Sequence, residues 1–240
     1  MVSQITYTKD GDYISILLNE KCNYKCYGCI TDYNNYDYHL DDYSPKDKEP
    51  INNDEVIKLL KDIKFNKVFF FGKEPFSNSG FPELAKQIKD EYNSYNVVIT
   101  NGTYYHKNIS DFMDEICISI KAVSESIFTE YTSFMDKDLA IYNLQKYNTH
   151  KKLVLRTESV FIPNLVGINE LSLVAKKIAT INPLINHRID AYIPFIDDKK
   201  RRPTLDEMDT ALIESKKHLI NTSILHSNSK AFKKKVIEIY

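Results

Sequence analysis

The sequence has little net charge and no long apolar run. Its 240 residues carry 32 Lys and Arg against 33 Asp and Glu, a formal net charge of −1, so no overall field draws the chain to nucleic acid or to an anionic membrane. No apolar stretch approaches the roughly 20 residues that cross a bilayer, and the first residues contain no apolar signal-peptide core. We therefore expect a cytoplasmic protein that uses neither nucleic acid nor a membrane as its partner.

Cysteine is scarce too, but three of the four cysteines lie close together. Cys22, Cys26 and Cys29 follow the spacing C-x3-C-x2-C. In a reducing cytosol such a group is more often a metal or redox site than a disulfide framework. A structural zinc site would need a fourth ligand, which His39 or Cys117 could supply, although Cys117 lies in an apolar strand and is better interpreted as a buried thiol. An iron–sulfur cubane held by three thiolates would leave one iron open to a substrate or cofactor.

Strand and helix patterns alternate along most of the chain. The strands are predicted to be parallel because most are apolar throughout, as in sheets covered on both faces. Amphipathic helical stripes lie between them, which indicates an α/β barrel or open sheet formed by a single domain over residues 1–240. The predicted strands are 13–18, 67–72, 96–100, 115–120, 152–161 and 188–195.

The unusual residues follow the ends of these strands. The cysteine loop follows the first strand, residues 72–75 the second, 100–102 the third and Lys121 the fourth. In parallel α/β sheets the loops after the strands gather at one rim, where ligands bind. We therefore expect the functional site at this rim.

The order of these segments is similar to that of the radical S-adenosylmethionine (SAM) superfamily. The resemblance extends over residues of about 12–195 and is carried by the segments "CNYKCYGC", "FFFGKEPF", "VVITNG", "ISIKA", "LRTESVFIPN" and "RIDAYIP". It implies a partial (β/α)6 TIM-like barrel, with residues 196–240 as a C-terminal extension that closes or flanks it. It also implies a [4Fe–4S] cluster on Cys22, Cys26 and Cys29, whose fourth iron binds SAM.

The resemblance further implies the reaction. An electron from a donor such as flavodoxin or ferredoxin, passed through the cluster, cleaves SAM to a 5′-deoxyadenosyl radical that abstracts a hydrogen atom. In this chemistry the cofactor performs the difficult step, and the protein holds it and excludes water.

Four positions match the loop that receives the methionine amino group in the family. These are Gly72, Lys73, Glu74 and Pro75. The family usually has a second glycine where this chain has Lys73, and a lysine tolerates positive φ poorly. Either the loop geometry therefore differs slightly or Lys73 points away from the cofactor.

Four further positions match segments that hold SAM in relatives. Thr100 and Asn101 end the third strand. The Asp-x-Lys pattern that contacts the methionine moiety in activating enzymes appears here as Ser119 and Lys121, with serine in place of the acid. A lysine at this rim is a suitable partner for a carboxylate, although an ordinary surface lysine is the alternative.

Two more candidates come from the last two strands. Arg156 lies in an apolar strand and would need an anionic partner, either the SAM carboxylate or a structural glutamate such as Glu158 or Glu74. Tyr192 lies where relatives hold adenosine, or it is a core residue.

The substrate is indicated less directly. Gly28 replaces a frequently aromatic residue and resembles the activating enzymes of anaerobic ribonucleotide reductases, and "RTESVFIPN" resembles the R-T-x-x-x-x-P-G stretch of glycyl-radical activases. The leading hypothesis is therefore an activase that abstracts hydrogen from a glycine of a partner glycyl-radical enzyme. The departures at Lys73 and Ser119 keep a second hypothesis open, an enzyme that modifies a small molecule, nucleotide or peptide. A third is a non-catalytic metal-binding or electron-transfer protein.

Overall fold

A single mixed sheet forms the centre of the protein. The computed structural model describes residues 2–33, 36–37, 40, 49–226 and 235–240, and within them nine strands pair in the order β8-β7-β6-β5-β4-β3-β2-β1-β9. The strands are β1 Gln4–Thr8, β2 Tyr13–Leu18, β3 Lys67–Gly72, β4 Tyr95–Thr100, β5 Glu115–Ser119, β6 Val154–Phe161, β7 Asn186–Ala191, β8 Thr222–Leu225 and β9 Val236–Glu238.

Helices connect most of the parallel strands. They are α1 Ile30–Tyr33, α2 Asn53–Leu60, α3 Phe81–Tyr92, α4 Glu125–Thr132, α5 Leu139–Tyr147, α6 Ile168–Ala179 and α7 Leu205–Lys216. Capping boxes predicted from the sequence begin two of them, formed by Asn52 with Glu55 and by Thr204 with Glu207. Each box satisfies two backbone N–H groups that the first helical turn would otherwise leave without a partner.

The strand polarity confirms the predicted α/β fold. Strands β2 to β8 are all parallel to one another, whereas β1 pairs antiparallel with β2, and β9 pairs antiparallel with β1. Among the described residues β8 does not pair with β9, so the sheet is an open, partial barrel. The six predicted strands are present within two residues of the expected starts, and β8 adds a seventh parallel strand that the sequence did not indicate.

The two faces of the sheet differ in burial. Val68 and Phe70 of β3 are fully buried against helices, and Phe70 packs edge-on against Phe81 of α3 at 5.2 Å between ring centroids. The alternating residues Phe69 and Phe71 remain partly exposed. We call the side on which Phe69 and Phe71 lie the open face; strand pairing places Cys117 of β5 on the same side.

The described residues contain no helix that is both long enough and apolar enough to span a bilayer.

Candidate active site

The cysteine loop, residues 19–29, follows β2 and rests on the end of α4. Its backbone N–H groups at Lys25 and Tyr27 donate to the carbonyls of Thr132 and Tyr131, at 2.8 and 2.7 Å. A tight turn then brings the Cys29 N–H to the Cys26 carbonyl, at 3.2 Å. The backbone of the loop is therefore held by its own hydrogen bonds, and no hydrogen bond from a cysteine side chain is needed to hold it.

The three thiols are half-buried and free. Burial raises the pKa of Cys22, and it raises the pKa of Cys26 to about 12. Hydrogen-bonding groups lie against two of the sulfurs: the Tyr24 N–H donates to Cys22 Sγ at 3.4 Å, and Thr31 Oγ1 lies 3.1 Å from Cys29 Sγ, where either group can donate. Burial thus favours the protonated thiol at Cys22 and Cys26, and ligation would release their protons.

The three thiols are one ligand short of a structural zinc site, which takes four protein ligands. In a cubane each thiolate binds a different iron, so three thiols hold a cluster and leave one iron open. Of the two proposed fourth zinc ligands, His39 lies outside the described residues. Cys117 is buried in β5, where its Sγ donates to Glu158 Oε2 at 3.5 Å.

The loop after β3 approaches the end of β2 through a glycine. Gly72 has φ of 137°, and a Cβ there would lie 2.3 Å from the Leu18 carbonyl oxygen. Lys73 does not share this backbone conformation. Its N–H donates to the same Leu18 carbonyl at 3.0 Å, and its ammonium lies 3.6 Å from the carboxylate of Asp32. Lys73 is therefore accommodated without positive φ, and its side chain points toward α1.

Glu74 ties the loop after β3 to the loop after β4. Its buried carboxylate accepts hydrogen bonds from Thr100 Oγ1 at 2.7 Å, from the Asn101 N–H at 2.8 Å and from the Phe76 N–H at 3.1 Å. Burial raises the pKa of Glu74 to about 7, although these three donors favour the charged form. Pro75, also buried, begins the short 3-10 turn that follows. Glu74 thus positions two loops of the rim at once.

Asn101 connects the β4 loop to the cysteine loop. Its Nδ2 donates to Asn23 Oδ1 at 2.8 Å and lies 3.7 Å from Cys22 Sγ. Thr103 donates to Asn101 Oδ1 and accepts from Asn23 Nδ2. The sequence pattern identified Thr100 and Asn101 but missed Asn23, whose role becomes visible only when the two loops meet in space.

Ser119 and Lys121 form a pair after β5. The Lys121 ammonium donates to Ser119 Oγ at 2.7 Å and lies 5.9 Å from the centre of the Tyr131 ring. Burial opposes the charge of Lys121, but Tyr131, Cys26 and other nearby acidic groups outweigh it and raise the pKa of Lys121. Among the described residues no carboxylate comes within ion-pair distance of this ammonium. Lys121 is therefore a partly buried cation at the rim, held by Ser119; its role as a partner of the SAM carboxylate stays a prediction.

Arg156 lies elsewhere. Its Nε donates to Glu115 Oε1 at 2.5 Å, and Glu115 also accepts from the Tyr95 hydroxyl and lies 3.9 Å from the Lys67 ammonium. Glu115, Tyr95 and Lys67 are the first residues of their strands, so this cluster lies at the amino edge of the sheet, opposite the rim. Arg156 therefore has a structural glutamate as its partner, as one of the two alternatives expected, but this glutamate is Glu115 and not Glu158 or Glu74. Its place at the amino edge is away from the rim at which SAM was expected.

Tyr192 packs on the cysteine loop. Gly28 has φ of 62°, and a Cβ there would lie 2.1 Å from Tyr192 Oη. The Tyr192 hydroxyl donates to Asp198 Oδ2 at 2.5 Å. The position of Tyr192 therefore explains why residue 28 is a glycine, and the ring occupies the space that a side chain at residue 28 would need.

The sequence also missed a charged row on the open face. Strand pairing places Ser119, Glu158 and Arg188 side by side. The Arg188 guanidinium donates to Glu158 Oε2 at 3.2 Å and to Asp190 Oδ1 at 2.5 Å. Burial raises the pKa of Asp190 to about 6. Charged side chains inside a sheet need partners, and here the Arg188 charge is balanced by the carboxylates of Glu158 and Asp190. The row lies one strand from Lys121.

Comparisons with known proteins agree with this geometry. A protein of Methanocaldococcus jannaschii, provisionally named glycyl-radical enzyme activating enzyme, is 28% identical over 216 residues, which cover 86% of this chain and 78% of that protein. The GTP 3',8-cyclase of Clostridium perfringens strain 13 is 23% identical and aligns with 90% of this chain; the chain spans 66% of that enzyme.

Solved structures share the fold. A crystal structure of Streptococcus suis SuiB bound to S-adenosylmethionine superposes with a TM-score of 0.69 at 13% identity, covering 91% of this chain and 51% of SuiB. The chain thus spans about half the length of SuiB. The family profile described as "Radical SAM superfamily" matches residues 16–152, more than half of the 240 residues. The chain therefore belongs to the radical SAM superfamily, whose members use a [4Fe–4S] cluster and SAM.

Proposed function

We propose that this protein is a radical SAM activase that abstracts a hydrogen atom from a backbone glycine of a partner glycyl-radical enzyme. The observation that carries the proposal is the alignment with the M. jannaschii relative over 86% of the chain. The composition supports it, because Cys117 is the one cysteine outside the cysteine loop and is buried in a strand, so no ligand set for an auxiliary cluster accompanies the loop.

Cys22, Cys26 and Cys29 would hold the cluster. When bound, the cluster and SAM supply a 5′-deoxyadenosyl radical after one-electron reduction by a donor such as flavodoxin or ferredoxin. The contribution of the protein is to hold the three sulfurs at the rim and to place hydrogen-bond donors beside two of them, which tunes the reduction potential of a cluster.

The rim loops would hold SAM. The backbone of Gly72, Lys73 and Pro75 would receive the amino group, and Glu74 and Thr100 would fix that backbone in place through the hydrogen bond between them. Ser119 would orient Lys121, whose ammonium would donate a charge-assisted hydrogen bond to the carboxylate of SAM. Asn101 would couple the SAM loop to Cys22, and Tyr192 would lie at the adenosine end.

The activase hypothesis is tested with a candidate glycyl-radical enzyme as the substrate. We would incubate reconstituted enzyme, SAM and a reductant with a candidate glycyl-radical reductase or lyase and record the electron paramagnetic resonance spectrum. We expect the doublet of a glycyl radical. Cys26→Ala should abolish the doublet, whereas Cys117→Ala, the matched cysteine outside the loop, should retain it. Cleavage of SAM without any doublet would show that the substrate is not a glycine of the proteins tested.

A second candidate function is the modification of a small molecule, nucleotide or peptide. The observation that favours it is the charged row of Glu158, Arg188 and Asp190 on the open face, which offers polar recognition that a glycine loop does not need. The alignment with the GTP 3',8-cyclase over 90% of the chain is consistent with this alternative. Replacing Arg188 with Gln separates the two functions, because it should leave glycine abstraction unchanged and impair turnover of a polar substrate.

The third hypothesis, a non-catalytic metal-binding or electron-transfer protein, has a simpler test. An electron-transfer protein with a cluster would absorb near 400 nm after anaerobic reconstitution, and a zinc protein would not. Neither would form 5′-deoxyadenosine from SAM.

A further inference from the structure

The segment that follows β7 folds back onto the cysteine loop. Asp198 accepts a tyrosine hydroxyl on each carboxylate oxygen: Tyr27 Oη donates to Oδ1, and Tyr192 Oη donates to Oδ2 at 2.5 Å. Tyr27 lies between Cys26 and Cys29, and the Tyr192 ring lies against Gly28. One carboxylate from outside the loop therefore contacts the turn that presents two of the three thiols.

Ring contacts extend this attachment. Phe195 stacks on Tyr33 of α1, with 4.1 Å between centroids and 5° between planes. The Lys200 ammonium lies 5.3 Å from the centre of the Tyr27 ring, and the Lys200 N–H donates to Asp198 Oδ1 at 2.9 Å. We call the set Tyr27, Tyr192, Phe195, Asp198 and Lys200 the Asp198 clamp.

The clamp contacts the turn from Cys26 to Cys29 through side chains, in addition to the backbone hydrogen bonds of the loop. Backbone hydrogen bonds to α4 fix Lys25 and Tyr27, but Gly28 adopts a left-handed conformation with φ of 62°, a region that glycine enters at an entropic cost. Burial alone would raise the pKa of Asp198, yet the bonds from the two tyrosines and from backbone N–H groups outweigh it and lower this pKa. The clamp hydrogen bonds are therefore charge-assisted at neutral pH, the stronger class of such bonds.

We propose that Asp198 is a positioning residue for the cluster, and that the clamp keeps the cysteine loop in the conformation that accepts the cluster and thereby stabilises the bound cluster. The proposal rests on the assignment of Cys22, Cys26 and Cys29 as cluster ligands. In this proposal the residues after β7 help to hold the cluster in place, whichever substrate the enzyme acts on.

The test compares two neighbouring acids. Asp198→Asn removes the charge that both tyrosines contact. Asp197→Asn is the matched control: it removes the same charge from the same segment, and its backbone φ of 64° is one that asparagine tolerates. Hydrogen exchange over residues 21–33 is measured on each protein before reconstitution, so that the result does not depend on cluster content. Loss of hydrogen bonds to a charged group should accelerate exchange there about tenfold in Asp198→Asn and leave Asp197→Asn unchanged.

The second readout is the stability of the cluster. After anaerobic reconstitution, the absorbance near 400 nm should decay about tenfold faster in aerated buffer for Asp198→Asn than for the wild type or the control. Tyr27→Phe should accelerate the decay less, and adding it to Asp198→Asn should produce little further change, because both remove the same contact.

Three outcomes would overturn the proposal. Exchange and decay in Asp198→Asn could match the wild type, the two asparagine variants could behave alike, or exchange could rise equally across the whole sheet, which would indicate general destabilisation. Cys26→Ala separates this failure from failure of the ligand assignment. If that variant assembles a normal cluster, the ligands are wrong; if it does not while Asp198→Asn behaves as the wild type, only the clamp is wrong.

Discussion

Replacement of Gly28 by alanine tests how the cysteine loop is built. The new Cβ would lie 2.1 Å from Tyr192 Oη and 2.5 Å from a carbon of the ring, far inside contact distance. The ring must therefore move or the loop must open, and either movement breaks the hydrogen bond between Tyr192 and Asp198.

The cost has two parts. A non-glycine residue in the left-handed region costs roughly 1–2 kcal/mol. Loss of a hydrogen bond to a charged group costs about 1.5–3 kcal/mol. Together they predict that Gly28→Ala loses about 3–5 kcal/mol of loop stability, which is a large fraction of the net stability of a domain.

The assay is urea unfolding combined with hydrogen exchange over residues 21–33, both on protein without the cluster. The matched control is Gly167→Ala, because no atom lies within 4 Å of a Cβ at residue 167 and its φ of −88° suits any residue. As a helix N-cap substitution, the control should cost at most about 1 kcal/mol. If Gly28→Ala matched the control in both measurements, the packing of Tyr192 on the loop would be wrong.

Three further predictions follow from other buried contacts. Glu74→Gln should lower the free energy of unfolding by about 2–3 kcal/mol in urea titrations, because the new NH2 group faces the Asn101 N–H; an unchanged midpoint would contradict the tie between the two loops. Lys121→Met should weaken SAM binding to the reconstituted protein by about 10- to 100-fold in equilibrium dialysis, with exposed Lys107→Met as the control that should bind normally. Burial lowers the pKa of His187 to about 4. The folded state holds the imidazole neutral, which costs no stability above the unfolded pKa of about 6.5 and destabilises the fold increasingly as pH falls from there toward 4. The wild type should therefore lose about 2 kcal/mol more than His187→Asn between pH 8 and pH 5, and parallel pH profiles would refute this.

The sequence predicted the strands that carry the rim, because they are apolar, β-branched and followed by glycine, proline or charged residues. It did not predict β1, β8 or β9. The last two have four and three residues, which is too short for a periodic pattern to appear. The cysteine spacing and the Gly72–Pro75 loop could be recognised in the sequence because the residues of each motif are close together along the chain.

Contacts between distant segments were less accessible. Asp198 and Asn23 carry no signal of their own, and each becomes important through partners 171 and 78 positions away, Tyr27 and Asn101. Arg156 was expected to need an anionic partner because it lies in an apolar strand, but the sequence did not identify that partner as Glu115, at the amino edge of the sheet. Gly28 was interpreted through the substrate, whereas the structure gives it a packing reason; Gly28 therefore no longer distinguishes the activase from its alternatives.

The central claim is that three cysteines hold a cluster at which SAM is cleaved. The most direct measurement is the amount of 5′-deoxyadenosine formed from SAM by the reduced, reconstituted protein. The wild type and Cys117→Ala should both form it, and alanine variants of Cys22, Cys26 and Cys29 should each form none. Formation of 5′-deoxyadenosine by any of these three variants, or its absence from wild-type protein with a full cluster, would contradict the assignment.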